Sequence, residues 1–120
     1  MRRRLVKNVR IYREGDFFWG SLWISDGRFE RICPDEEAAF MGSDRGEEVL
    51  DGRGMMLVPG FIDLHTHGAV GIDVNAADKE GLKKIAAFFA TQGVTAWNAS
   101  IVTDSIERTD RCLAVIRDVS

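Results

Sequence analysis

The stretch Val58-Pro59-Gly60-Phe61-Ile62-Asp63-Leu64-His65-Thr66-His67-Gly68 decides how the rest of this 120-residue chain is read. It holds the only two histidines in the sequence, and they stand two residues apart. A short apolar run entered from a proline–glycine break predicts a buried strand over Phe61 to His65. Side chains alternate faces along a strand, so His65 and His67 are expected to point the same way, with Asp63 one step below. Two imidazoles on one face at a strand's end can grip one divalent ion, and Gly68 lets the chain turn away without crowding it. Two ligands make a partial metal site.

Downstream, Phe61–His65 lacks clean polar alternation, as expected of a strand covered on both faces. Gly68-Ala69-Val70-Gly71-Ile72-Asp73 reads as a glycine-rich loop. Asp78 caps a predicted helix running to Gln92, with Leu82, Ile85, Ala86, Phe89 and Ala90 on one stripe and Gly93 at the left-handed C-terminal position, and the Phe88-Phe89 pair reads as core. Val94–Ile101 is the next strand. Asp104 with Glu107 makes a capping box for a second helix, whose apolar stripe is Cys112, Val115, Ile116 and Val119. Strand–helix–strand–helix order implies parallel strands joined by right-handed crossovers.

Upstream, the pattern is all-β. Arg4–Tyr12 and Phe18–Ile24 are strands around a turn at Arg13–Asp16. Phe18, Gly20, Leu22 and Ile24 share one face, and Trp19, Ser21 and Trp23 the other. Asp26-Gly27 is a hairpin turn into a return strand, Arg28–Ile32, stopped by Pro34. The aromatic cluster reads as the core of a small antiparallel sheet rather than a ligand platform. Residues 35–48 form a surface loop with a helical turn near Glu36–Met41. Val49–Asp51 and Met55–Val58 are two short strands around Gly52-Arg53-Gly54, and the antiparallel part ends at Pro59. The division is residues 1–58, all-β, then 59–120, β/α.

Hydrophobic content of 45% and charged content of 29% are those of a globular chain. A net charge of −3 gives no footprint for nucleic acid, and Arg2-Arg3-Arg4 is a solvated basic start. No stretch approaches the ~20 apolar residues of a membrane span, and no signal-peptide core follows the terminus. Cys33 and Cys112 have no ligand-spaced neighbours, so they read as buried, reduced packing thiols. These features predict a cytoplasmic protein with neither nucleic-acid nor membrane partners.

An all-β start followed by Pro-Gly-Phe-Ile-Asp-x-His-x-His on the first strand of a β/α series resembles the amidohydrolase superfamily. Pro59 to Gly68, continuing through Gly71 and Asp73, looks like N-acetylglucosamine-6-phosphate deacetylases. Gly93-Val94-Thr95 and Ser100-Ile101-Val102-Thr103 resemble that family's second barrel strand and its exit loop. Asn75-Ala76-Ala77 departs from the family's usual acidic position, and Asn98-Ala99 is unusual in the second strand.

The resemblance implies an α/β fold with a small all-β part: a β-sandwich segment, then the first two β/α units of an incomplete (β/α)8 metal-dependent hydrolase barrel. It implies hydrolysis of N-acetylglucosamine 6-phosphate to glucosamine 6-phosphate and acetate, with one or two divalent ions, zinc or iron. It also implies a small-molecule amino-sugar phosphate substrate and a homodimer. His65 and His67 would be metal ligands. Asp63 would orient the strand or a ligand histidine rather than bind metal directly, Asp73 would order its loop, and the proton-transferring group would lie beyond residue 120. A (β/α)8 barrel takes about 250 residues. The chain therefore reads as the N-terminal portion of a deacetylase, inactive by itself. Two alternatives stay open: a dihydroorotase- or hydantoinase-like enzyme of cyclic amides, and a non-catalytic truncated fragment.

Overall fold

The computed structural model describes residues 3–38 and 48–119, and these divide between two compact units, Met1–Pro59 and Gly60–Ser120. The first is one mixed five-stranded sheet built from β1 (Arg3–Arg13), β2 (Asp16–Ser25), β3 (Arg28–Pro34), β4 (Glu48–Asp51) and β5 (Met56–Leu57), with a four-residue helix α1 (Asp35–Ala38). Strand β1 is central: β2 lies antiparallel on one edge, with β3 beyond it. Both hairpin turns put two successive residues at positive φ, Glu14-Gly15 and Asp26-Gly27, as two-residue connections between right-twisted strands require.

β4 and β5 run parallel to β1, not antiparallel as the run of short strands implied. Residue alternation records which face a side chain takes and carries nothing about strand direction. β4 pairs on the edge of β1 opposite β2. There the β1 bulge at Asn8 (φ 55°) is engaged from the side. Gly52 and Gly54 N–H donate to the Lys7 and Asn8 carbonyls, and Asn8 Nδ2 donates to Asp51 Oδ1. Leu5, Trp23 and Cys33 are buried in one cluster, Val9, Ile11 and Leu22 in another. Trp23 and Leu22 thus fall in different clusters, as the alternation predicts, while Trp19 is exposed. The predicted turn of helix at Glu36–Met41 is met only as Asp35–Ala38; its remainder lies outside the described residues.

In the second unit, β6 (Phe61–Thr66) pairs in parallel with β9 (Val94–Ala99), and helix α2 (Lys79–Thr91) connects them. Asp78 Oδ1 accepts from Gly81 N–H at the start of α2, a cap contributing about 1 kcal/mol, and Gly93 takes φ +78° at the end. Leu82, Ile85 and Phe89 of α2 are buried with Val74 and with Cys112 of α3 (Ile106–Arg117), and Trp97 of β9 meets Phe89 edge-on. Phe88, read as core beside Phe89, is 38% exposed, because consecutive helical residues do not share a face.

Three other expectations change here. Residues 68–73 form a tight hairpin, β7 (Gly68–Ala69) with β8 (Ile72–Asp73), instead of a loop. Val70 and Gly71, both at positive φ, supply its turn. The cap of α3 is Ser105, whose hydroxyl accepts from Arg108 N–H, while Asp104 accepts from Ser105 N–H one residue earlier. Both residues can cap a helix, and the backbone leaves the extended conformation only after Ser105 (φ −61°, ψ 156°). Finally, Phe61, Ile62 and Leu64 are 62–70% exposed, not covered on both faces. Among the described residues β6 has one hydrogen-bonded neighbour, β9, so much of its apolar surface has nothing against it.

Candidate metal centre

His65 lies near the end of β6 and His67 just past it, and the strand's two-residue period brings their rings together. The two Nε2 atoms are 3.1 Å apart, with ring centroids at 4.9 Å and planes at 84°. Nitrogens bound to one tetrahedral zinc ion at ~2.05 Å are themselves separated by about 3.3 Å. The pair therefore fits two positions of a single coordination sphere. Among the described residues no group of three or more His, Cys, Asp or Glu side chains could hold a metal.

The hydrogen bonds assign the protons. His67 Nδ1 lies 3.0 Å from the Ser100 carbonyl oxygen. A carbonyl only accepts, so Nδ1 carries the hydrogen and the neutral ring has its lone pair on Nε2. With both rings neutral, the short contact between the Nε2 atoms then places the hydrogen of His65 on its own Nε2. One ring presents a ready ligand atom. The other points a donor at it.

The backbone around the pair is held at several points. Asp63 Oδ1 accepts from His65 N–H at 3.0 Å, so this carboxylate steadies the histidine's backbone. Ser100 N–H donates to Thr66 O at 2.8 Å, extending the β6–β9 pairing one step past β9 and placing the Ser100 carbonyl beside His67. Val74 N–H donates to the His67 carbonyl, also at 2.8 Å. Asp73 Oδ1 accepts from Asn75 N–H at 2.7 Å and so orders its own loop. From sequence Ser100 stood only within the exit-loop resemblance and Asn75 only as a departure from the family's acidic position; neither was read as a site residue. A main-chain carbonyl has no side-chain signature, but the carboxamide of Asn75, able to both donate and accept, was a visible signal.

Beside these loops is a cleft of about 590 Å³ whose lining includes Asp73, Asn75, Asp104, Arg108 and Arg111. Two carboxylates and two guanidiniums offer an anionic ligand no net attraction there. Cys112 also borders it, and burial pushes the Cys112 and Cys33 thiols up, keeping both protonated as packing residues. The Asp104 carboxyl is held below its usual 3.8, first by Ser105 N–H, with Arg108 adding to the effect, and Asp118 is held low by Lys79. Depressed carboxylates contribute stability that is present above pH 3.8 and lost as pH falls through their lower folded-state values. Thermal melts taken from neutral pH down to about pH 2 should show the midpoint falling over that acid range, with a shallower fall in Asp104→Asn. An identical slope in the variant would remove Asp104 from the account.

Fold and site together define a sheet-rich α/β chain bearing paired imidazoles at the end of a parallel strand. No protein-family model matches it. The chain is 33% identical over 108 residues to the N-acetylglucosamine-6-phosphate deacetylase of Lysinibacillus sphaericus, a match covering 89% of this chain and 26% of that enzyme. The crystal structure of N-acetylglucosamine-6-phosphate deacetylase from Pasteurella multocida superposes with a TM-score of 0.84 at 22% identity, over 98% of this chain and 30% of that one. A D-hydantoinase crystal structure gives 0.66 at 26% identity, covering 98% and 24%. This chain thus resembles the N-terminal portion of an N-acetylglucosamine-6-phosphate deacetylase and spans about a quarter of the curated relative's length. No helix among the described residues is long and apolar enough to cross a membrane.

Proposed function

We propose that this chain supplies the metal-ligand strand of an amidohydrolase-superfamily enzyme that hydrolyses N-acetylglucosamine 6-phosphate to glucosamine 6-phosphate and acetate. The observation that carries the reading is the approach of His65 and His67 Nε2 to 3.1 Å at the C-terminal end of β6, with His67 already oriented by Ser100. The likeness to deacetylases over nearly the whole chain supports the choice of substrate. In this reading β6, α2, β9 and α3 are the first two β/α units of a (β/α)8 barrel, where reacting groups gather at the C-terminal strand ends. The sheet of β1–β5 belongs to a β-sandwich.

A divalent ion, zinc or iron, would supply Lewis acidity at the acetyl carbonyl and a water nucleophilic at neutral pH. The residues of this chain bind and orient. His67 offers its Nε2 lone pair, His65 would offer its Nε2 once the hydrogen there moves to Nδ1 or to solvent, Asp63 holds the backbone of His65, and Ser100 sets the ring of His67. The likeness to D-hydantoinase favours a second reading, ring opening of a cyclic amide at the same pair.

A chimera separates the two. This chain replaces the matching quarter of the L. sphaericus deacetylase, and acetate release from N-acetylglucosamine 6-phosphate is measured beside hydantoin hydrolysis, each with added zinc or iron. Acetate release lost in His65→Ala supports the deacetylase reading. A folded chimera that releases none contradicts it, and hydantoin opening alone establishes the alternative.

A further inference from the structure

One side chain near the pair has a double contact that neither reading uses. Asn75 Nδ2 donates to the Val102 carbonyl at 2.9 Å, and Asn75 Oδ1 accepts from Val102 N–H at 2.9 Å. A single carboxamide thus satisfies both main-chain groups of one residue 27 positions away. Side chains with a donor and an acceptor in that fork are few, and a carboxylate in the same place would leave the carbonyl without its donor.

The segment held this way lies beyond the end of β9, where no strand pairing fixes Val102. Two residues before it stands Ser100, tied to Thr66 O on one side and to His67 Nδ1 on the other. Asn75 in turn is anchored by its N–H on Asp73, and the adjoining Val74 N–H is on the His67 carbonyl. The contacts close a ring from His67 through Val74 and Asn75 to Val102, then back through Ser100 to the His67 imidazole.

We propose that Asn75 is a positioning residue for His67. By clamping Val102 it holds the Ser100 carbonyl against His67 Nδ1–H, so that the ring offers its Nε2 lone pair toward His65. The clamp stands whether or not an ion binds; its use in catalysis rests on the hydrolase reading above. A residue that only stabilised its loop would lower the melting temperature on removal and leave the His67 proton where it was. A positioning residue moves that proton.

Nitrogen-15 NMR of the 120-residue chain, uniformly labelled with nitrogen-15 and carbon-13, at a pH where both rings are neutral, reads the tautomer directly. The unmodified chain is expected to show the Nδ1–H form at His67, and a scalar coupling across the hydrogen bond from Asn75 Nδ2 to the Val102 carbonyl carbon. In Asn75→Ala the Nε2–H share at His67 should rise about fivefold, the effect of removing one hydrogen bond of ordinary strength. A folded Asn75→Ala chain with the unmodified tautomer at His67 overturns the proposal. Should that variant fail to fold, the unmodified chain decides: the coupling and the Nδ1–H form together support the clamp, and absence of either refutes it. Zinc titration of the unmodified chain tests metal binding separately, so either idea can fail without the other.

Discussion

His67→Ala should abolish most of the chain's zinc binding, with affinity falling by about a hundredfold or more. The second contact of a chelate forms within one molecule, and that advantage disappears when one arm is removed. The Nε2 atoms already lie 3.1 Å apart, so little reorganisation is needed to bring both onto one ion. His65→Ala should lose as much, because neither ring has a substitute among the described residues. Isothermal titration with zinc chloride at neutral pH measures this, and the same variants in the chimera should release no acetate. Zinc affinity unchanged in either variant would show that the rings do not act as a pair.

Gly68→Ala should be the most destabilising small change at the site. Gly68 sits at φ +150°, and a Cβ there would run into the Ile72 carbonyl oxygen across the β7–β8 hairpin. The obstacle is main chain and cannot rotate away. Strained backbone and forced displacement together should cost about 3 kcal/mol or more, lowering the melting temperature by about 10–20 °C for a unit this small. Gly71→Ala is the control: Gly71 also has positive φ, +76°, but a Cβ there meets nothing within 4 Å, so only the left-handed penalty of about 1–2 kcal/mol applies. Circular-dichroism melts compare the two. Equal shifts would mean that the hairpin at Gly68 is looser than its contacts imply. Since Gly68 directly follows His67, its replacement should also weaken zinc binding where the chain still folds.

Legibility in the sequence followed locality. Asp26-Gly27 announced its hairpin because both residues accept positive φ, and α2 announced itself by its apolar stripe and by Asp78. The shared face of His65 and His67 needed only the period of a strand. Features depending on where distant segments meet were not legible. The parallel pairing of β4 with β1 joins segments about 44 residues apart, and side-chain alternation carries no strand direction. The partner of His67 is a main-chain carbonyl 33 residues away, identical in kind to every other carbonyl in the chain. Asn75 was noted only as a departure from the family's usual acidic position, and its role emerged when Val102 was found within reach of both ends of its amide. The choice of Ser105 over Asp104 lay between two competent neighbours, settled by one backbone torsion.

The proton shared between the two rings has a chemical corollary. With both rings neutral it sits on His65 Nε2, between the two atoms that the proposed function assigns to one ion. An incoming cation must evict that hydrogen, which can return to the same ring only at Nδ1 or leave for solvent. In the proposed function, metal loading and proton relocation are then a single exchange.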